Sequence, residues 1–404
     1  MFHLRHIHKA SFEGRENEVK QLLEVNPSLI SATTIDGSTA LHYAAKGGHE
    51  HVVTQLLAGS FTLIYATTCW GETALHSAAL AGHVHVVKEL LAMSPALVSA
   101  VTNQGETALH YASSEGHEPV INQLLTVSPA LVSAATQGGY TALHCAVCKG
   151  NEGVVKQLLA VSPTLVSAVT RGGYTALHFA SRAGHEHVVE QLLVASPTLI
   201  SAVTFDGYTA LHLAVLCCRS LVVAQLLKAS PEALDAVTSC GKNALHLALE
   251  NGYVSVAEMM LAKKPEWIYT TGTRGNTVLH LAIRECFHKE EFLARVWALN
   301  PAALRAVNEQ LETPFHVAVA RGNDYAIKLL QWGLCVDEIT RIVAACDVPR
   351  RYSKTDYIEG LRPVIELQCG SVLDLHLNQD VTGTVYEYLG FEPPKRPVKK
   401  LKLA

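Results

Sequence analysis

The sequence repeats one phrase at a fixed interval of 34 residues. It reads GETALHSAALAGHVHVVKELL from Gly71 and GYTALHFASRAGHEHVVEQLL from Gly173. The glycine that opens the phrase returns at this spacing along most of the chain, as Gly37, Gly71, Gly105, Gly139, Gly173, Gly207, Gly241 and Gly275. A period of this length indicates a stack of small repeats rather than one compact core, because a single repeat buries too little apolar surface to fold alone.

The register continues beyond these glycines in both directions. Two extra residues precede Leu311, which stands where the next glycine is expected, and residues 8–23 keep the register without the Gly and Thr. We therefore predict ten repeats within residues 1–334. The degenerate first repeat (1–36) and the degenerate last repeat (311–334) would cap the regular repeats that start at residue 37.

Each repeat is predicted to hold two short helices and a connecting finger. In the repeat that opens at Gly173, Thr175 stands where an N-cap belongs and Gly184 where a left-handed residue ends a helix. Pro197 stops the second helix, because proline cannot continue one. The β-branched stretch that follows, with its Gly-centred turn, favours an extended hairpin finger.

The pattern G-x-T-A-L-H-x-A-x-x-x-G-H-x-x-V-V-x-x-L-L resembles the ankyrin repeat, over roughly residues 3–334. Most repeats carry Ala where the family has the Pro of T-P-L-H, and SPxLVSAVT replaces the usual Gly-Ala-Asp-Val-Asn loop. We expect this longer loop to lay one more leucine, such as Leu165 or Leu199, over the second helix. The resemblance implies an all-α ankyrin-repeat solenoid of helix-turn-helix units with hairpin fingers, and a protein-binding role without naming the partner.

Composition and net charge limit the classes of partner and the compartment that we expect. A net charge of −4 gives no general reason to expect nucleic acid. The N-terminus lacks the apolar run of a signal peptide, and the longest apolar stretches are too short to span a bilayer. We therefore expect a cytoplasmic monomer with free thiols and no membrane insertion.

Histidine is the first candidate for chemistry, since nine of the 21 histidines fill the T-A-L-H position. A ladder of metal or proton sites is one interpretation. The favoured interpretation is a hydrogen bond from each imidazole to the neighbouring finger, because buried polar groups need partners. The pairs His49/His51, His83/His85 and His185/His187 are two apart and so diverge on a helix, which predicts solvated side chains rather than a metal site.

Cysteine and glycine motifs give no stronger sign of catalysis. Cys145 and Cys148 form a C-x-x-C pair, which can be redox-active or bind zinc, but Cys145 follows His144 on a first helix and is predicted to pack inward. The Gly-rich residues 271–277 lack a phosphate-binding lysine and read as a finger. With no nucleotide-binding, hydrolase or kinase motif, we predict no catalytic residue, no metal and no cofactor.

Partner binding should use positions that stacking leaves free. The residue after each turn glycine is one such position, and Tyr140, Tyr174 and Tyr208 fill it in consecutive repeats. We expect a tyrosine stripe that binds a protein; the alternative is that the rings pack on one another and stiffen the fingers. In ankyrin repeats the matching positions line the concave groove, and here the proposed contacts are Trp70, Glu72, Leu80, Glu106, Tyr140, Lys149, Arg171, Tyr174, Arg182, Phe205, Tyr208, Leu216 and Lys242.

The charges of these positions change sign along the chain. Glu72 and Glu106 come first, and the basic residues Lys149, Arg171, Arg182 and Lys242 follow. We expect a partner segment with apolar anchors at the tyrosines and acidic groups towards the C-terminal half.

The period is lost from about residue 335. Residues 335–392 are predicted to form a small C-terminal helical domain that caps the array. Residues 377–391 weakly resemble the F-box-like and SOCS boxes that recruit ubiquitin ligase subunits, which makes a ligase adaptor one alternative. A pathogen effector acting in the host cytoplasm is another. Residues 393–404 form a basic tail that reads as flexible, either a solubilising end or a nuclear import signal.

Overall fold

The computed structural model describes residues 2–230, 235–286 and 289–331. The chain divides into two compact bodies, Met1–Ala248 and Leu249–Ala404, called here the N-terminal and C-terminal bodies. The predictions for residues 335–392 and 393–404 lie outside the described residues. The boundaries of the ten repeats, with degenerate repeats at 1–36 and 311–334, stay a prediction.

Twenty α-helices occur in the described residues, and they follow one another as a first and a second helix of each repeat. The first helices are Phe2–Phe12, Ala40–Gly47, Ala74–Ala81, Ala108–Glu115, Ala142–Lys149, Ala176–Ala183, Ala210–Leu216, Ala244–Glu250, Val278–Glu285 and Pro314–Arg321. The second helices are Glu16–Val25, Glu50–Gly59, Val84–Met93, Glu118–Val127, Glu152–Val161, Glu186–Ala195, Ser220–Ala229, Val254–Lys263, Glu290–Leu299 and Asp324–Gln331.

The fingers carry no regular strands within these residues. Their two arms meet only at isolated antiparallel bridges, as between Val169 and Thr175. The fold is therefore all-α, as the repeat pattern predicts, and the expected hairpins are reduced to single bridges around a turn.

The first helices begin and end as their sequence predicts. Thr175 is the N-cap of Ala176–Ala183, and His178 at the third helical position completes a capping box by accepting from the Thr175 backbone N–H. Gly184 ends the helix in the left-handed region, with φ +89°. A side chain there would be strained and would also meet Arg219 of the next repeat.

The segment after each second helix differs from the expected extended chain. In the repeat of Gly173 the helix ends at Ala195, and Pro197–Ser201 forms a 3₁₀ turn before the finger begins. Proline pre-sets the φ of such a turn, so the Ser-Pro pair both stops one helix and starts the next. Leu165 and Leu199, in two of these turns, are buried against the preceding second helix, as predicted.

Stacking in the N-terminal body joins like elements of successive repeats. The first helices from Phe2–Phe12 to Ala210–Leu216 each pack on the next, and the second helices from Glu16–Val25 to Ser220–Ala229 do the same. The finger tips are also joined by backbone hydrogen bonds, such as Asn103 N–H to Trp70 O at 2.8 Å and Arg171 N–H to Gly138 O at 2.9 Å. Successive fingers are therefore fixed in a row.

The C-terminal body is stacked in the same way among its described residues. Val278–Glu285 packs on Pro314–Arg321, and Glu290–Leu299 packs on Asp324–Gln331. Residues 271–277 form a finger, as predicted, whose tip accepts a hydrogen bond at Arg274 O from Glu309 N–H at 2.9 Å. Leu311 adopts φ +60° in the position that glycine fills elsewhere.

Candidate partner-binding surface

The T-A-L-H histidines hold each finger in place. His42 Nδ1 accepts from the Thr39 backbone N–H at 3.1 Å, so the ring proton lies on Nε2, which donates to the Glu72 carbonyl at 3.0 Å. His76, His110, His178 and His280 make the same pair of bonds, which confirms the structural interpretation for these five histidines but not for His144 and His212, whose Nε2 atoms lack this bond. Burial lowers the pKa of these rings, to about 4 at His76, so they are neutral at pH 7.

Each bonded carbonyl belongs to the residue that follows the next turn glycine, or, at Glu312, the Leu311 that replaces it. The backbone of that residue is held on both sides: at Tyr140, the N–H donates to Thr136 Oγ1 at 3.1 Å and the carbonyl accepts from His110 and from Thr136 N–H. The side chain takes no part in these bonds. Stacking therefore fixes the backbone at this position. The side chain is exposed at Tyr140 and half-buried at Tyr174 and Tyr208, whereas Ser38 and Asn276 are buried.

A second row of hydrogen bonds corrects the expectation for the paired histidines. His51, His85 and His187 are exposed as predicted, but their partners in each pair are half-buried. His49 Nε2 donates to Phe12 O at 2.8 Å and His83 Nε2 to Lys46 O at 3.0 Å, each in the preceding repeat. The row is completed by His117, Asn151, His185 and Arg219.

The C-x-x-C pair is not poised for redox chemistry. Cys145 is half-buried and burial raises the pKa of its thiol to about 12, while Cys148 is exposed and its pKa is also raised by burial. Both sulfurs are thus protonated at neutral pH, and a thiol is a poor nucleophile and metal ligand. Among the residues that the structure describes, no group of three potential metal ligands comes together.

Three of the sequence-predicted contacts line one pocket of about 170 Å³ in the N-terminal body. These are Trp70 at a finger tip, Glu72 after the turn glycine and Leu80 near the end of a first helix. Trp70 is 57% exposed, although backbone hydrogen bonds join its finger to the preceding and the following finger.

Tyr111 links this pocket to the next repeat. Its hydroxyl donates to Glu72 Oε1 at 2.7 Å and lies 3.3 Å from Glu106 Oε2. Burial, followed by the two carboxylates, raises the pKa of Tyr111 well above its usual value. Glu72 and Glu106, predicted as separate contacts, are therefore two sides of one hydrogen-bonded layer.

Phe179 joins two of the three predicted tyrosines in the same way. Its ring centroid lies 5.5 Å from that of Tyr140 in the preceding repeat and 5.6 Å from that of Tyr174 in its own. The tyrosine rings do not touch one another directly, so the stripe is an alternating layer of Tyr140, Phe179 and Tyr174. Tyr140 remains 40% exposed and Tyr174 is half-buried.

The other candidates are not gathered into this layer. Tyr208 has a ring contact with His212 but none with Tyr174 or Phe179 within the described part of the chain. Phe205 is 81% exposed at its finger tip, whereas Leu216 and Lys242 are half-buried. The exposed cations are Lys149, Arg171 and Arg182, which form no ion pair with another described residue.

One family of known proteins shares this repeated geometry. The family model described as ankyrin repeats (three copies) matches six overlapping segments: 7–97, 63–130, 94–167, 129–202, 161–235 and 191–271. The chain belongs to the ankyrin-repeat family. Its ankyrin repeats are a protein–protein interaction module, and the family generally serves as a scaffold rather than as an enzyme. No curated protein matches the sequence.

Sequence reasoning missed the ring positions on the first helices of these ankyrin repeats. Tyr43, Tyr111 and Phe179 occupy the same position in every second repeat, at intervals of 68 residues. The 68-residue period of these aromatic residues was the available signal. The position also fits the apolar face of a helix, so these side chains were predicted to lie in the core.

None of the described helices combines the length and apolar character needed to cross a bilayer.

Proposed function

We propose that this chain is a non-enzymatic scaffold that binds a protein segment along the concave groove of its ankyrin repeats. One observation carries the proposal: at Tyr140 and Tyr174 the stack fixes the backbone, while the side chain stays exposed at Tyr140 and half-exposed at Tyr174. Binding to such pre-organised side chains loses little conformational entropy. The aromatic layer of Tyr140, Phe179 and Tyr174 supplies the apolar anchor.

The order of charges supports an orientation for the bound segment. Carboxylates lie on the N-terminal side of the aromatic layer, at Glu72 and Glu106, and the cations Arg171 and Arg182 lie in and beyond it. Opposite charges on the partner would fix its direction and speed its association. The partner segment is therefore basic where it meets Glu72 and acidic where it meets Arg171 and Arg182, with the chain acting as a cytoplasmic monomer.

A ligase adaptor is the alternative that the weak box-like resemblance of residues 377–391 supports. That segment lies outside the described residues, so the adaptor proposal rests on sequence alone. Co-purification of ubiquitin ligase subunits with the full chain, lost on deletion of residues 370–404, would support it. The effector alternative, with action in a host cytoplasm, rests only on the kind of repeat and is tested by a secretion assay. Nuclear import is a separate proposal for residues 393–404, and it is tested by fusing them to a reporter protein.

The scaffold proposal is tested by affinity capture with the full chain as bait. The bound proteins are quantified for the wild type and for the variant Tyr140→Ala/Tyr174→Ala/Tyr208→Ala. We expect the specifically captured partner to fall by about tenfold or more in the variant, because large aromatic anchors dominate interface energies.

A matched variant controls for general effects on folding and surface. His51→Ala/His187→Ala changes two exposed side chains on second helices and should leave capture unchanged. Equal capture by the wild type and the triple tyrosine variant, with unaltered thermal melts, would remove the aromatic layer from the binding surface.

A further inference from the structure

The pocket beside Trp70 is lined largely by polar and aromatic side chains. Its lining includes the exposed indole of Trp70, the carboxylates of Asp36 and Glu72, and the rings of Tyr43 and Tyr111. Its volume of about 170 Å³ exceeds that of a single water molecule. The core between the helices is instead built mainly from Ala, Val and Leu.

Both carboxylates are oriented by short hydrogen bonds, Asp36 from its own finger and Glu72 from the first helix of the next repeat. Asp36 accepts from Ser38 Oγ at 2.6 Å and also from the Thr34 hydroxyl, and these bonds lower the pKa of Asp36. Glu72 is held by the Tyr111 hydroxyl at 2.7 Å. The acids therefore have fixed positions on two adjacent fingers, which is the pre-organisation that a charged ligand needs.

The remaining titratable groups of the pocket leave it acidic. His42 and His76 face it but are neutral at pH 7, because burial lowers the pKa of both rings. Lys46 is the one cation in the lining, and its side chain is exposed. Two carboxylates thus stand against one ammonium group, beside an aromatic face that itself attracts cations.

We propose that this pocket takes an arginine or lysine side chain of the bound partner segment, an inference that rests on the proposed function and adds a specificity position to it. The apolar stem of that side chain lies along the Trp70 ring. Its charged head meets Asp36 and Glu72 with charge-assisted hydrogen bonds. The basic residue of the partner lies on the side of the apolar contacts to Tyr140 and Tyr174 that faces the N-terminal repeats, because the pocket lies in earlier repeats.

The test uses a phage-displayed library of random dodecapeptides selected on the full chain at neutral pH. Selected peptides are expected to share one Arg or Lys at a fixed distance from an apolar residue. A synthetic, fluorescently labelled copy gives Kd by anisotropy. Replacing its basic residue with citrulline or norleucine, or changing Glu72→Gln in the protein, should each weaken binding about tenfold, and the two losses should not add.

Further variants separate the pocket from general effects. Trp70→Ala removes an exposed ring and should also weaken binding, while Lys46→Gln removes the competing cation and should strengthen it by about threefold. Glu186→Gln, an exposed acid on a second helix, is the control and should change nothing.

The outcomes distinguish the two levels of the proposal. Selected peptides that lack a shared basic residue, or a Kd that does not respond to Glu72→Gln, would overturn the cation pocket and leave the scaffold function standing. Failure to select any peptide on the wild type over the triple tyrosine variant would overturn the scaffold function and the pocket with it.

Discussion

At the scale of single residues, the T-x-x-H pair is the unit that ties sequence to stacking. The histidine closes a capping box at the start of its own helix and, in most repeats, donates its second nitrogen to the next finger. Both bonds require the neutral ring, because Nδ1 must accept. At His144 and His212 the Nε2 atom makes no hydrogen bond, so these two rings are held by the capping box and by burial.

His144 gives a pH-dependent stability that can be measured. Burial lowers its pKa to about 4, below the value of about 6.5 expected when unfolded, so the unfolded chain binds more protons between these pH values. Its contribution is complete above about pH 6.5 and is lost as the pH falls towards 4. We expect His144→Gln, which keeps an acceptor for the capping box, to lose about 1–2 kcal/mol less stability between pH 7 and pH 5 than the wild type.

The measurement is urea denaturation at several pH values, with the exposed His51→Gln as a control that should retain the wild-type slope. If His144→Gln and the wild type lose stability in parallel on acidification, His144 is not the buried neutral group described above.

At the scale of elements, the turn glycines determine where a finger can reverse. Leu311 shows the cost of departing from the pattern, since it adopts φ +60° with its side chain 77% exposed. A left-handed conformation costs a branched residue about 1–2 kcal/mol, and the exposed side chain recovers little of this by packing.

Substitution of Leu311 by glycine should therefore stabilise the chain. We expect Leu311→Gly to be about 1 kcal/mol more stable than Leu311→Ala, which removes nearly the same side chain but keeps the strained Cβ. Denaturation midpoints of the two variants provide the comparison. A midpoint for Leu311→Ala equal to or above that of Leu311→Gly would show that the turn carries no strain.

The helices themselves were predictable from single residues. Thr175 and Gly184 placed the first helix of their repeat between them, and it is observed at Ala176–Ala183; Pro197 placed the end of the second helix, which is observed at Ala195. The 3₁₀ turn after the second helix was missed, because a Pro followed by Leu and β-branched residues reads as extended chain. The hydrogen bond of His49 was missed because it depends on the distance to the preceding repeat, which no local pattern encodes.

At the scale of the whole molecule, stacking and recognition use different parts of the same residues. The predicted contacts Glu72, Glu106, Tyr140 and Tyr174 lie on the finger row, but their grouping through Tyr111 and Phe179 was not predictable. Those two rings lie on helix faces that the helical period of about 3.6 residues predicts to be part of the core. Only the approach of successive repeats turns them into bridges between finger residues.

The central claim is that a partner lies against the finger row rather than against the second helices. It is tested most directly by photo-crosslinking from p-benzoylphenylalanine placed at position 140, with the same group at position 187 as the control. Both sites are exposed, one on the finger row and one on a second helix. We predict a covalent adduct with the captured partner from position 140 and none from position 187. An adduct from position 187 without one from position 140 would contradict the account.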